Sequence, residues 1–149
     1  MKFLSFTHNG IASFGVIDNQ KIIDLGAHNP DLIDLRDAIK KDRLSDLAMQ
    51  AQGLKPNLSI NEIEFLPTIP NPEKIICIGV NYADRNAEYK DGSKPPQYPS
   101  VFMRTRESLV GHQQNIMAPP ESSQLDYEGE IVLVIGKDGR RINEENANE

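Results

Sequence analysis

The sequence predicts a β-rich α+β fold, and three observations carry that prediction. Short alternating strands separated by turn signals open the chain, and a stretch with helical spacing of apolar residues follows. The second half contains continuous apolar runs that end in glycine, a pattern typical of buried strands. Both helices and strands are therefore expected, with strands in the majority.

The start of the chain is predicted to form a small meander of three strands. Phe and Leu alternate with other residues in the first strand, and Asn9-Gly10 is a strong hairpin-turn signal. Asp18-Asn19-Gln20 marks a second turn. So small a sheet needs another element to pack on. The three predicted strands are Lys2–Phe6, Ile11–Ile17 and Lys21–Leu25.

A helical pattern is predicted to open at Pro30-Asp31 and to end at Gly53. Its apolar residues recur at helix-like spacing and indicate a packing role: Leu32, Leu35, Ile39, Leu44 and Leu47. The pattern breaks near Asp42, which predicts two short helices, with Asp42 or Ser45 as a cap of the second.

A proline-rich stretch, residues 66–72, divides the sequence. Three prolines in so short a stretch exclude helix and central sheet, so an extended linker is expected. The predicted domains are residues 1–66, a small N-terminal domain, and residues 67–149. The second is expected to contain three strands: a buried one ending at Gly79, a short one at Ser100–Arg104 and a buried one at Ile131–Ile135.

Composition excludes several classes of protein. The chain has 149 residues, a formal charge of -6 and 26% charged residues, a globular balance without the clustered Lys and Arg of a nucleic-acid surface. No apolar run is long enough to cross a bilayer, and the first residues have no signal-peptide pattern. One cysteine excludes an internal disulfide framework. A cytoplasmic protein with no nucleic-acid or membrane partner is expected.

Two glutamates beside the last predicted strand are candidate metal ligands. Side chains alternate along a strand, so Glu128 and Glu130 would lie on one face, where two ionised carboxylates repel each other. A divalent cation that prefers oxygen ligands would compensate this repulsion. Gly129 between them would let a ligand come close. The alternative is a solvent-exposed strand end that carries two surface glutamates.

Two further groups of polar residues are candidates for a site. On a helix after Gly79, Asn81, Arg85 and Glu88 would share one face together with Asp84, although this could equally be a charged helix surface. Arg104, on a strand with apolar neighbours, could bind a carboxylate bidentately or be a surface arginine.

The histidines and the cysteine offer less chemistry. No histidine has a His or Cys partner at zinc spacing, so zinc is not expected. His112 is the histidine placed most clearly in a loop. Cys77 lies inside an apolar strand and is expected to be a small core residue.

Taken together, these blocks resemble the fumarylacetoacetate hydrolase family, over essentially the whole chain. They come in family order at family-like spacing, and the N-terminal meander resembles the small first domain of many members. The blocks are Lys74–Asp84, Phe102–Arg104 leading to Ser108–Gly111, and Leu125–Glu130 continuing through Lys137. The hydratase and isomerase members, such as 2-keto-4-pentenoate hydratase and 2-oxohepta-3-ene-1,7-dioate hydratase, are the most similar in kind.

The resemblance implies a mixed β-roll catalytic domain, a homodimer, and Mg²⁺ (or Mn²⁺ or Ca²⁺) bound by acidic residues. It implies small 2-oxo or 1,3-dicarbonyl carboxylic acids as substrates, including those of aromatic catabolism, and hydrolase, decarboxylase, hydratase or isomerase chemistry through an enolate. Glu128 and Glu130 become metal ligands, and Glu88 a catalytic carboxylate that helps to activate water. Asn81, Tyr82 and Arg104 match substrate-binding positions.

The sequence departs from the family pattern in residue type and in length. Arg85, counted with Glu88 among the catalytic residues, stands where many members have a histidine, and an arginine cannot act as an ordinary base. Hydrolysis therefore loses weight against isomerisation, decarboxylation and hydration. Arg104 stands where other members often have lysine. Members are usually longer, and their third acidic metal ligand lies in a later segment. An N-terminal portion is therefore expected; the alternative is an inactive fragment or a binding or assembly module.

Overall fold

The fold is that of a computed structural model, which describes residues 1–82 and 97–147. Within these ranges it has an α+β architecture in which a five-stranded sheet carries two short helices and a two-stranded ribbon follows. The strands are β1 (Lys2–His8), β2 (Ile11–Asp18), β3 (Lys21–Asp24), β4 (Leu58–Ser59), β5 (Glu64–Phe65), β6 (Ile75–Gly79) and β7 (Ser100–Arg104), and the helices are α1 (Leu35–Lys40) and α2 (Leu44–Gly53).

The N-terminal meander is confirmed as the centre of the five-stranded sheet. The strand order is β4-β3-β2-β1-β5, and all neighbouring strands run antiparallel. Asn9 and Gly10 both have positive φ, 51° and 76°, which is the backbone of the hairpin turn that an Asn-Gly pair favours. The two short strands β4 and β5 extend the predicted meander at its two edges.

Both faces of this sheet are buried, by different parts of the chain. On one face Phe14 and Val16 pack with residues of the helical segment, including Leu35 and Leu47. On the other face Leu4, Phe6 and Ile22 are covered by a second set of apolar residues, Ile17, Leu58, Ile63 and Phe65. The side chains alternate between the faces as the strand period of two requires. The helices thus supply the packing surface that the small sheet needs.

The helical segment differs from the sequence prediction in where its helices begin. The first helix begins at Leu35, because Asp34 has an extended backbone and its carboxylate accepts a hydrogen bond from the Asp37 N–H at 2.7 Å. The break at Asp42 is confirmed, with φ of 54°, and α2 ends at Gly53 as predicted. Neither Asp42 nor Ser45 caps the second helix: its N-cap is Arg43, without a side-chain cap bond.

Strands β6 and β7 form an antiparallel ribbon at the predicted positions. Ile75 lies opposite Arg104, and Gly79 lies opposite Ser100. The prediction that β6 is buried is wrong, since Ile76 is 56% and Ile78 44% exposed. The reason is that the described residues place no second layer over this face of the ribbon.

The predicted buried strand at Ile131–Ile135 is also wrong. All five side chains are exposed, and the segment has no regular secondary structure. A fully apolar strand is stable only between strand partners that bond its backbone on both sides. Among residues 1–82 and 97–147 no strand pairs with it.

In the part of the chain that the structure describes, no helix is long and apolar enough to cross a membrane.

Candidate functional site

The polar residues that follow β6 are placed only in part by the structure. Asn81 and Tyr82 are exposed directly after the strand. Arg85 and Glu88, the predicted catalytic pair, lie outside the described residues, as does Asp84. Val80 has φ of 57°, a left-handed backbone that is unusual for a β-branched residue. Such strained positions cluster at ligand-binding and active sites, so this strand end is a suitable place for one.

Arg104 ends β7 with its side chain exposed to solvent. Its guanidinium carbon lies 5.6 Å from the centroid of the Phe102 ring, at a distance typical of a cation–π contact. The ring restricts the orientation of the planar guanidinium, whose N–H groups match the two oxygens of a carboxylate. The chemistry predicted for Arg104 is therefore available at this position.

The structure places Arg104 and the residues after β6 at opposite ends of the ribbon. Arg104 pairs with Ile75 at the start of β6, whereas Asn81 and Tyr82 follow Gly79 at its end. At the usual rise of a strand, the four steps between Ser100 and Arg104 span about 13 Å. The predicted substrate-binding residues therefore do not form one compact cluster within the described part of the chain.

Glu128 and Glu130 are both exposed and lie in a segment without strand structure. No strand forms here, so the prediction that Glu128 and Glu130 share one face of a strand is wrong. A Cβ added to Gly129 would meet nothing within 4 Å, so no close backbone approach requires this glycine. Over residues 1–82 and 97–147 there is no group of three His, Cys, Asp or Glu that could hold a metal ion. Two carboxylates supply part of the oxygen set that Mg²⁺ prefers, but not a complete site.

Sequence reasoning missed the contact between the loop after β7 and the five-stranded sheet. His112 lies in a loop, as predicted, and its ring packs edge-to-face against Phe65 with the centroids 5.1 Å apart. Gln114 Nε2 donates a hydrogen bond to the Phe65 carbonyl oxygen at 3.2 Å. Gly111 is buried against the same carbonyl. The glycine in this loop was the one available signal of the close approach.

Local ion pairs lower the pKa of two carboxyl groups that are not among the predicted site residues. The hydrogen bond from Arg106 lowers the pKa of Glu107. The hydrogen bond from Lys41, followed by one from the Ile33 N–H, lowers the pKa of Asp37. The Glu107 side chain is exposed, and an exposed ion pair contributes little to stability, whereas the Asp37 side chain is half-buried. Cys77 is half-buried, between the core position expected of it and the surface.

The part of the chain that contains β6, β7 and the acidic segment after them also matches a known protein family. The model of the fumarylacetoacetate hydrolase C-terminal domain matches residues 74–149. Since this is half of the chain, the protein belongs to the fumarylacetoacetate hydrolase family.

Individual relatives agree with that assignment. The chain is 40% identical over 134 residues to the mitochondrial oxaloacetate tautomerase fahd2 of Xenopus laevis, covering 87% of this chain and 41% of the relative. It is 35% identical over 151 residues to the oxaloacetate tautomerase YisK of Bacillus subtilis, covering 89% of this chain and 50% of that protein. The chain thus spans two fifths to half the length of these curated relatives.

A solved structure supports the fold. The crystal structure of a putative HpcE protein from Mycobacterium smegmatis superposes with a TM-score of 0.57 at 16% identity, covering 78% of this chain and 40% of that one. At this level of identity the likeness concerns the fold alone.

Proposed function

We propose that this protein takes part in enzymatic chemistry on small 2-oxo carboxylic acids, and that its reaction is the keto–enol tautomerisation of oxaloacetate. The observation that carries this proposal is the 40% and 35% identity, over most of the chain, to proteins named oxaloacetate tautomerases. Tautomerisation moves one proton from carbon to oxygen and consumes no water. It therefore does not need the histidine-assisted water activation that Arg85 cannot provide.

In this proposal Arg104 binds a carboxylate of the substrate. Oxaloacetate is a dianion near neutral pH, and an exposed guanidinium held over the Phe102 ring can donate two parallel hydrogen bonds to one of its carboxylates. Asn81 and Tyr82, with Glu88 as the catalytic carboxylate, belong to the same proposal. Their arrangement rests on the family resemblance.

Glu128 and Glu130 are proposed as ligands of Mg²⁺, with Mn²⁺ or Ca²⁺ as alternatives. A bound divalent cation would polarise the 2-oxo group of the acid and favour the enol. We expect Glu128→Gln and Glu130→Gln to weaken Mg²⁺ binding in isothermal titration calorimetry, and Glu121→Gln, a matched surface control, to leave it unchanged. The dissociation constant for Mg²⁺ is expected to be weak, on the order of 1 mM, because few charged ligands take part. Tight binding that persists in both site variants would contradict the assignment.

Arg104 provides the test of the reaction. We expect Arg104→Gln to raise the KM for oxaloacetate about 10- to 100-fold in a tautomerisation assay, since a charge-assisted hydrogen bond contributes about 1.5–3 kcal/mol. Arg106→Gln is the control, because Arg106 is an exposed arginine nearby that pairs with Glu107. An equal effect of the two substitutions would rule out a specific role for Arg104.

A binding or assembly role without catalysis is the second candidate. It is favoured by the lack of a group of three His, Cys, Asp or Glu that could hold a metal ion in the part of the chain that the structure describes. This candidate would be supported if the chain bound oxaloacetate, bound it more weakly after Arg104→Gln, and did not convert it. Catalysed tautomerisation would exclude it.

A further inference from the structure

One end of the β6–β7 ribbon is fastened to the N-terminal domain just before β6 begins. Arg36 of α1 forms an ion pair with Glu73, and its Nη1 donates a hydrogen bond to the Asn71 carbonyl at 3.2 Å. Asn71 Nδ2 in turn donates to Asp34 Oδ2 at 2.8 Å. Asn71 of the proline-rich stretch and Glu73, two residues before Ile75, are therefore held against the start of α1.

A second contact fastens the chain after β7. The Gly111 N–H donates to Gln114 Oε1 at 2.7 Å, while Gln114 Nε2 donates to the Phe65 carbonyl at 3.2 Å. The Gln114 side chain thus bridges its own loop and β5, and the His112 ring packs on Phe65 beside it. A Cβ at position 111 would overlap the Phe65 carbonyl oxygen, so only glycine permits this approach.

These two contacts lie at the same end of the ribbon. Ile75 follows the first contact and pairs with Arg104, which precedes the second. A two-stranded ribbon is marginally stable by itself, and one point of attachment would leave it free to pivot. Two attachments, one just before β6 and one in the loop after β7, restrict its angle to the five-stranded sheet.

We infer that Gly111 and Gln114, together with the Arg36–Glu73 pair, are positioning residues that hold the Arg104 end of the ribbon against the N-terminal domain. The importance of these residues for substrate binding rests on the proposed function of Arg104. The attachment of the ribbon to the N-terminal domain rests only on the contacts described. The N-terminal domain is accordingly a support that orients a substrate-binding arginine.

The fastening can be measured as a distance distribution between two spin labels. In a Cys77→Ser background, labels are placed at Met49→Cys on α2 and Val101→Cys on β7, which are 64% and 63% exposed. We expect a narrow distribution in the parent and a broadened one in Gln114→Glu, which replaces the donor to the Phe65 carbonyl with a carboxylate. Gly111→Ala is expected to broaden it through the steric overlap.

The control is Gly53→Ala, whose added Cβ would meet nothing within 4 Å, and it should keep the parent distribution. If Gly111→Ala does not fold, the distance distribution of Gln114→Glu alone tests the inference. An unchanged distribution in the folded variants would overturn the inference.

A kinetic measurement separates positioning of Arg104 from general support of the fold. Gln114→Glu is expected to raise the KM for oxaloacetate about 2- to 10-fold, the effect of losing one hydrogen bond, with a smaller change in kcat. An unchanged KM beside a broadened distribution would overturn the link to Arg104. Lack of turnover in the parent would contradict the proposed tautomerase function. The distance measurement would then still show whether the ribbon is attached to the N-terminal domain.

Discussion

Gly111 and Arg104 illustrate what one residue contributes at the scale of single side chains. The lack of a Cβ at Gly111 lets the loop after β7 reach the backbone of β5. The guanidinium of Arg104 lies over the ring of Phe102 on the same strand, with its central carbon 5.6 Å from the ring centroid. Residue types alone made Arg104 a candidate. The partner of Gly111 lies 46 positions earlier in the chain, so no local pattern could identify it.

Asp37 provides a test at the same scale. Its carboxylate accepts hydrogen bonds from Lys41 Nζ at 2.8 Å and from the Ile33 N–H at 3.1 Å, which lower its pKa below that of an unfolded aspartate. The pair therefore adds stability above the unfolded pKa, about 4, and loses it as the pH falls through the lower folded value.

Lys41→Met removes the largest cause of this shift and should raise the pKa of Asp37 towards its ordinary value, as followed by NMR titration of the carboxyl carbon. The acid-dependent loss of stability below about pH 4 should shrink with it. Lys40→Met is the matched control, because Lys40 exerts the smallest of the five influences on this pKa. A shift of equal size in both variants would contradict the assignment to Lys41.

At the scale of elements, strands with nearby partners were predictable and isolated apolar strands were not. The meander at β1–β3 was predicted correctly because its turns and alternation are local signals. The strands at β6 and β7 were also placed correctly, but the predicted burial of β6 was wrong, since burial depends on layers contributed by other parts of a chain. The run at Ile131–Ile135 failed for the same reason: its apolar pattern says nothing about which strand pairs with it.

The N-cap of α1 tests how an element is stabilised. Asp34→Ala removes both the cap bond to the Asp37 N–H and the acceptor for Asn71 Nδ2, so we expect a loss of about 1–2 kcal/mol in the free energy of unfolding. Asp34→Asn retains a side chain that caps helices well and should lose less. Urea denaturation measures both variants, and an Asp34→Asn protein less stable than Asp34→Ala would contradict this account of the cap.

At the scale of the whole molecule, the sequence led to the family, and the matched family model confirmed it over residues 74–149. For the candidate site, the sequence predicted which residues take part and their order along the chain, but not their positions in space. Arg104 lies about 13 Å along the ribbon from the strand end that leads to Asn81, a separation that the order of motifs does not reveal. The division into residues 1–66 and 67–149 stays a prediction. The contacts of Arg36 and Gln114 show that the two regions are tied together.

The proposed tautomerase activity is tested most directly by the rate at which this chain interconverts keto and enol oxaloacetate in excess Mg²⁺, followed by the ultraviolet absorbance of the enol. We expect a rate above that of the same buffer without protein. At oxaloacetate concentrations below the parent's KM, the acceleration should fall about 10- to 100-fold in Arg104→Gln and be retained in Arg106→Gln. A rate equal to that of the buffer, from folded protein, would contradict the claim that this chain catalyses the reaction.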